Sequence, residues 1–150
     1  MEQMKMMLVD DEERFLSTTQ KLLSRKGYDV LTASSGSQAL DLLRTHNVHV
    51  VILDVKMPGM DGIDTLKAIK RNYPLVEVIM LTGHGTVDSA VEGLKSGATD
   101  YLTKPTDVQD LLEKAEEAFS KRQTLEEKIR VAQARSSMRT AREILRDTGA

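Results

Sequence analysis

The fold of this chain is constrained most strongly by a repeated unit, in which a short apolar run is followed by an amphipathic helical pattern; the unit occurs five times. Short apolar runs bounded by turn residues predict strands. Between them, apolar side chains recur at helical spacing, as at Val87, Ala90, Val91 and Leu94, and predict five helices. The predicted strands cover residues 4–9, 28–33, 48–53, 76–81 and 99–103.

Regular alternation of strands and helices with short connections predicts an α/β fold, in which a parallel sheet is covered by helices on both faces. The third run, 48–53, is the most continuously apolar, as expected of a central strand. Five units suit an open, doubly wound (βα)₅ sheet better than a closed eight-stranded barrel. Sites in such sheets form beyond the carboxyl ends of the strands, so the residues that end the strands are expected to lie close together.

Composition narrows the class of protein. The chain has 150 residues, which favours one core, and it has no cysteine, which excludes disulfides, thiolate metal sites and cysteine nucleophiles. No apolar run approaches the roughly 20 residues of a membrane span, so we expect a cytoplasmic protein without membrane contact. Residues 1–120 carry 13 basic and 19 acidic side chains, a net charge of −6, whereas residues 121–150 carry 8 basic and 4 acidic side chains, a net charge of +4.

Chemistry-bearing residues follow four of the predicted strands. Asp10 and Asp11 end the first strand, Asp54 follows the third, Thr82 the fourth and Lys104 the fifth. If the first and third strands are neighbours, the three carboxylates form a cluster of hard oxygen ligands suited to Mg²⁺ or Mn²⁺. The sequence therefore predicts a divalent-cation site at this sheet edge.

The same set has a chemical logic for transfer of a phosphoryl group to a carboxylate. A cation and the Lys104 amine would neutralise the transferring oxygens, the Thr82 hydroxyl would donate to one of them, and Asp54 would attack. Gly83 leaves room for a phosphodonor to approach. Asp54 is thus the predicted phosphoacceptor, and Thr82, Gly83 and Lys104 are predicted to bind the phosphoryl group.

Four motifs resemble those of response-regulator receiver domains, over residues 4–120. They are Val9-Asp10-Asp11-Glu12, Leu53-Asp54-Val55-Lys56-Met57-Pro58-Gly59-Met60-Asp61-Gly62, Leu81-Thr82-Gly83 and Lys104-Pro105. Residues 82–105 most resemble the receivers of enhancer-binding transcription activators. The resemblance implies a flavodoxin-like strand order 2-1-3-4-5, phosphorylation by a sensor histidine kinase, and a protein that assists its own phosphorylation and dephosphorylation without being an enzyme.

The resemblance also implies roles for individual residues. The backbone carbonyl of Lys56 would join Asp10, Asp11 and Asp54 as a metal ligand. Thr82 and Tyr101 would be switch residues that carry the signal to the surface of the fourth helix, fifth strand and fifth helix. The peptide bond before Pro105 would be cis.

Other interpretations remain open from the residues alone. Asp10 and Asp11 are favoured helix-capping residues, and Asp54 precedes a turn. His84 lies where family members tune dephosphorylation, but it suits a loop equally well. A flavodoxin-like electron carrier should show a phosphate-binding loop after the first strand. An aspartyl phosphatase should show a second aspartate where Lys56 stands. A degenerate receiver that acts as a protein-binding module is a further alternative.

Residues 121–150 predict a helical extension that continues the last helix of the 1–120 receiver part. Two apolar patterns with heptad-like spacing are offset from each other: Leu125, Ile129 and Ala132, and Val131, Ala134, Met138, Ala141 and Leu145. We expect a linker or dimerisation helix, with a homodimer as one candidate assembly, a bend near residues 136–137, and no direct DNA binding. The chain is a stand-alone receiver or the front fragment of a larger regulator, whose output partner the sequence does not name.

Overall fold

A computed structural model describes residues 3–55, 62–83 and 87–147. The strands are β1 (Lys5–Val9), β2 (Asp29–Ala33), β3 (Val50–Asp54), β4 (Glu77–Thr82) and β5 (Asp100–Thr103). The helices are α1 (Glu13–Arg25), α2 (Gly36–Thr45), α3 (Gly62–Asn72), α4 (Val87–Lys95) and α5 (Val108–Asp147). Lys56, whose backbone carbonyl was expected to be a metal ligand, and His84 lie outside the described ranges.

The five strands form one parallel sheet in the order β2-β1-β3-β4-β5, which confirms the predicted flavodoxin-like topology. The order reverses between β1 and β3, where a doubly wound sheet forms its site. In the β1–β3 ladder Val9 pairs with Leu53, so the residues that follow both strands emerge at the same sheet edge.

Side chains that alternate along β3 supply two cores, one on each face of the sheet. Val51 and Leu53 join a buried cluster with residues of α2 and α3, and Val50 and Ile52 join a second cluster with residues of α1 and α5. Because both faces are covered, every residue of β3 is buried. The continuously apolar pattern of this strand is therefore explained by its central position.

Two details differ from the sequence prediction. Asp54 and Thr82 are the last residues of β3 and β4 and not the first residues after them, because Val55 and Lys104 continue the backbone ladder past them. The apolar pattern of α4 is only partly buried: Val91 and Leu94 are 43% and 42% exposed, whereas Ala90 is buried. The spacing correctly predicted the helix, but Val91 and Leu94 do not belong to the core.

The last helix, α5, runs for 40 residues without interruption, so the expected bend near residues 136–137 does not break it. The expected division at residue 120 falls within this helix and stays a prediction. Arg122 joins the helix to the sheet, since its Nη1 donates to the carbonyl of Val48 at 2.8 Å and its Nε to Glu126 at 2.6 Å. Beyond Glu126, every residue as far as Arg146 is exposed.

Among the described residues, no helix combines the length and apolar character that a membrane-spanning segment needs.

Candidate functional site

Three carboxylates meet at the edge of the sheet where β1 and β3 end. Asp10 is completely buried, Asp54 is 5% exposed and Asp11 is exposed. One oxygen atom from each carboxylate lies within 4.8 Å of those of the other two. The structure thus brings together the three side chains that the sequence predicts as metal ligands.

Lys104, which follows β5, lies against these carboxylates. Its Nζ is 2.5 Å from an oxygen of Asp10, 3.6 Å from Asp54 and 3.8 Å from Glu12. Burial lowers the pKa of the Lys104 ammonium, but its hydrogen bond to Asp10 and the negative charges of Asp10, Asp54 and Glu12 outweigh burial and raise that pKa above its usual value. The ammonium is therefore held in its charged form beside the predicted phosphoacceptor.

The orientation of Asp10 is set by contacts on both of its carboxylate oxygens. One oxygen accepts from Lys104, and the other accepts from the backbone N–H of Glu12 at 2.9 Å. Glu12 itself occupies the N-cap position of α1 and makes no side-chain capping bond. The interpretation of Asp10 as a mere helix cap is therefore not supported, because its carboxylate points into the charged cluster.

Phe15 and Gly62 contribute to the site, although sequence reasoning assigned neither a role. The Lys104 ammonium lies 5.0 Å from the centre of the Phe15 ring, a cation–π distance. A Cβ atom on Gly62 would lie 2.5 Å from the carbonyl oxygen of Asp54 and 2.5 Å from the Cα of Val55. Only glycine allows α3 to begin this close to the end of β3. The place of Gly62 in the Leu53–Gly62 motif was the signal available in the sequence, and no contact was predicted from it.

A cleft of about 390 Å³ opens beside the cluster. Gly83 lies at its edge, and no atom of the residues that the structure describes lies within 4 Å of where a Cβ of Gly83 would be. The cleft is lined by Glu12, Phe15, Gly83, Lys104, Pro105 and Thr106. The peptide bond between Lys104 and Pro105 is cis, as the resemblance implied.

The two predicted switch residues lie on the neighbouring strands β4 and β5. Thr82 is buried, and its hydroxyl donates to the backbone carbonyl of Leu102 at 3.4 Å, a long and weak hydrogen bond. Tyr101 is 42% exposed and lies on the outer side of β5. Both residues are adjacent to the site through the β4–β5 ladder, in which Thr82 pairs with Thr103.

The donor set fits a hard divalent cation. Mg²⁺ and Mn²⁺ prefer carboxylate and carbonyl oxygens, and Mg²⁺ is usually held by one or two carboxylates with water and phosphate oxygens completing its octahedron. Asp10, Asp11 and Asp54 offer oxygens of this type, and these oxygens lie close together. Asp11 is exposed, so the cluster can be reached from solvent on that side. His46 and His49 precede β3, at the opposite end of that strand from Asp54, and so take no part in this cluster.

Comparison with known proteins places this geometry in a family. A family model described as "Response regulator receiver domain" matches residues 6–116. The Transcriptional regulatory protein ZraR of Klebsiella oxytoca is 44% identical over 110 residues, which are 73% of this chain and 25% of ZraR. The chain therefore spans about a quarter of the length of this curated relative.

Solved structures agree with the family match. A response regulator receiver domain protein from Clostridium thermocellum is 40% identical, with a TM-score of 0.77 over 81% of this chain and 98% of that chain. NtrX from Brucella abortus, crystallised with ADP, is 30% identical, with a TM-score of 0.79 over 84% of this chain and 29% of NtrX. This chain belongs to the response regulator receiver domain family of two-component signalling proteins.

Proposed function

We propose that this chain is a phosphorylation-activated switch that accepts a phosphoryl group on Asp54 in a reaction requiring Mg²⁺ or Mn²⁺. One observation carries the proposal: Asp54, two further carboxylates and the Lys104 ammonium converge at the edge of the sheet beside an open cleft. A receiver domain implies a histidine kinase partner, and we assign the phosphodonor of this chain to that class.

The transfer balances as a displacement at phosphorus. An oxygen of the Asp54 carboxylate attacks the phosphorus, the P–O bond forms, and the P–N bond to the donor imidazole breaks as the imidazole leaves and takes up a proton. Asp10, Asp11 and Asp54 would hold a divalent cation, joined by the backbone carbonyl of Lys56 as the resemblance implies. When bound, the cation supplies charge neutralisation for the phosphoryl oxygens.

Lys104 is placed to act on the same group. Its Nζ lies 3.6 Å from an Asp54 oxygen, close enough for the ammonium to contact a phosphoryl group carried there. The Phe15 ring and the carboxylates of Asp10 and Glu12 limit where the ammonium lies. We assign Lys104 as a phosphoryl-binding residue and neither as nucleophile nor as general base.

The switching step depends on Thr82 and Tyr101. The long bond between Thr82 and the Leu102 carbonyl exchanges at little cost for a stronger bond to a phosphoryl oxygen. A phosphoryl group adds about −1.5 to −2 charge, which is large enough to bias two arrangements of a loop. Inward rotation of Tyr101 would then alter the surface of α4, β5 and α5, where Tyr101, Val91 and Leu94 are all exposed. We assign this surface to the output partner or to a second copy of the chain.

The chain acts in this proposal as a phosphoacceptor that assists its own phosphorylation and dephosphorylation, and not as an enzyme with a separate substrate. ZraR is about four times as long as the segment that this chain matches. The activity of any longer protein that contains this chain is therefore part of the proposal. The name of that relative favours control of transcription as the output.

Intact mass spectrometry tests the acceptor and the metal requirement together. The chain is incubated with Mg²⁺ and acetyl phosphate, with or without excess EDTA, and compared with Asp54→Asn. Asp29→Asn is the matched control, because Asp29 is an exposed aspartate at the opposite end of β2 from the site. We expect one added phosphoryl group in the wild type and in Asp29→Asn, and none in Asp54→Asn or with EDTA.

Two results would contradict the proposal. A phosphoryl group on Asp54→Asn would move the acceptor elsewhere. No phosphoryl group on any variant with Mg²⁺, in a chain whose circular dichroism shows it folded, would favour a degenerate receiver that acts only as a binding module.

A further inference from the structure

The distal part of α5 leaves the body of the protein entirely. All residues from 127 to 146 are exposed, and this segment carries six basic and two acidic side chains. Most helical stability in proteins comes from packing of one face, and residues 127–146 pack no face on the described body of the protein. The exposed segment therefore calls for a partner, and its charge indicates which kind.

Four arginines lie on one face of this segment. Arg135, Arg139, Arg142 and Arg146 follow each other at intervals of four, three and four residues, which places them within about 60° around the helix. None of the four forms an ion pair with another described residue. Neighbouring like charges at these spacings destabilise a free helix by about 0.2–0.5 kcal/mol per pair. Glu143, four residues after Arg139 and three before Arg146, offsets part of this repulsion. Anionic groups of a partner that face the stripe would relieve the rest.

An apolar stripe runs beside the arginines. Its larger members, Val131, Met138 and Leu145, are 40%, 58% and 64% exposed. The stripe lies about 90° around the helix from the arginines and about 150° from the face that packs on the sheet through Leu111 and Ala115. A partner is therefore free to cover it without meeting the receiver body. It consists of Val131, Ala134, Met138, Ala141 and Leu145.

We infer that residues 131–146 of α5 form a docking surface for an acidic amphipathic helix of another protein. Such a helix covers the apolar stripe with its own apolar side chains and presents carboxylates to the arginines. Arginine suits this role because its guanidinium forms bidentate bonds with carboxylates. This inference does not depend on phosphorylation of Asp54.

Pairing with a second copy through this stripe is disfavoured by charge. With Val131 and Met138 at heptad position a, Lys128, Arg135 and Arg142 fall at position e, and position g carries no acidic residue between 130 and 144. In an antiparallel pair the basic e positions face each other. In a parallel pair Arg130 of one copy faces Arg135 of the other, so neither orientation supplies a carboxylate.

Nucleic acid and membranes fit less well. Contact with phosphates would leave the adjacent Met138 and Leu145 side chains in water, whereas an acidic helix buries both stripes at once. Helices that lie in a membrane interface carry Trp, Phe or Leu on their apolar face, and this chain has no aromatic residue after Phe119. Ala134 and Ala141 instead allow close approach of another helix.

The test uses the whole chain and two synthetic three-heptad peptides with leucine at positions a and d. One peptide carries glutamate at positions e and g, and the other carries lysine there. Calorimetry compares the wild type with the pair of changes Arg135→Glu and Arg142→Glu, and with Met138→Asp. The matched control changes Arg14 and Arg25, two exposed arginines of α1, to glutamate. Circular dichroism checks that each variant keeps its helices.

We expect the glutamate peptide to bind the wild type and the α1 control, and to bind the Arg135/Arg142 variant at least about tenfold more weakly. The Arg135/Arg142 variant should instead prefer the lysine peptide. Met138→Asp should weaken the binding of either peptide. Equal binding of the two peptides to the wild type would overturn the inference. So would tighter binding of duplex DNA or anionic vesicles through the same arginines, or a dimer of the chain alone that Met138→Asp dissociates.

Discussion

Gly62→Ala tests how closely α3 must approach the end of β3. The added Cβ would lie 2.5 Å from the Asp54 carbonyl oxygen, 2.5 Å from the Val55 Cα and 2.7 Å from the Val55 carbonyl oxygen. Comfortable contacts between carbon atoms are about 3.5–4.0 Å, so the backbones must separate by about 1 Å. They resist this movement because the Val55 N–H donates to the Leu81 carbonyl at 3.0 Å and the Gly62 N–H to Val55 at 3.1 Å.

Two energies oppose each other in this variant. Overpacking of a tight contact typically costs about 1–3 kcal/mol. Alanine is favoured over glycine by up to about 1 kcal/mol inside a helix, but Gly62 is the first residue of α3 and gains only part of that. We therefore expect a net loss of about 1–2 kcal/mol in the free energy of unfolding, and weaker Mg²⁺ binding because Asp54 moves with its backbone.

Urea unfolding followed by circular dichroism measures the first effect, and calorimetric titration with Mg²⁺ the second. Gly83→Ala is the matched control, because its added Cβ has no atom within 4 Å in the described part of the chain. It should be as stable as the wild type or up to about 1 kcal/mol more stable, since alanine restricts the unfolded chain. The reasoning is refuted if Gly62→Ala unfolds at the wild-type urea concentration and binds Mg²⁺ with wild-type affinity.

Three further predictions follow from contacts around the sheet. Lys104→Met should lower the free energy of unfolding in EDTA by about 3–5 kcal/mol, because it leaves the buried Asp10 carboxylate without its cation; Mg²⁺ should restore part of the loss. Arg122→Ala should speed hydrogen exchange of residues 121–130, because it removes the bond that ties α5 to the sheet, and leave exchange in β3 unchanged. Tyr28 donates to Glu116, and this bond, with burial and the Glu116 charge, raises the pKa of the phenol. The stability that Tyr28 adds over Tyr28→Phe should therefore be full at pH 8 and be lost as the pH rises past the usual tyrosine pKa of 10.0 and through the raised folded pKa.

Each of these has a contradicting outcome. Equal stability of Lys104→Met and the wild type in EDTA would mean that Asp10 is not held by this ion pair. Unchanged exchange in 121–130 would show that Arg122 does not anchor the helix. A Tyr28→Phe difference that is the same at pH 8 and pH 11 would show that the tyrosine bond does not depend on its proton.

The fold was predictable because its elements are strongly periodic and nearly every one begins or ends at a turn residue. The order of the strands came from the resemblance and not from periodicity, which cannot say which strands are neighbours. Helical spacing predicted α4 but not which of its side chains are buried, since a one-sided stripe alone would place Val91 and Leu94 inward. The structure exposes both, and the helix instead meets the sheet through Ala90 and Gly93, which lies against Met80.

The candidate site was predictable to the extent that it lies at strand ends. Asp10, Asp54 and Lys104 each follow or end a strand, and parallel strands bring their carboxyl ends to one edge. The contact between Lys104 and Phe15 was not predictable, because Phe15 lies inside α1 and not at the end of a strand. The requirement for Gly62 likewise depends on how two backbones approach in space, which spacing along the sequence does not encode.

Because α5 is continuous, a small tilt where it is attached to the rest of the protein becomes a large displacement at its far end. Arg122 ties the helix to Val48, two residues before the strand that ends in Asp54. From Arg122 to Arg146 the helix extends about 36 Å, at 1.5 Å per residue. A tilt of about 10° at the anchor would therefore carry the tip through about 6 Å, roughly one helical turn. A tilt too small to disturb the packing around the phosphoacceptor would then displace the far end of α5 by about the length of one helical turn.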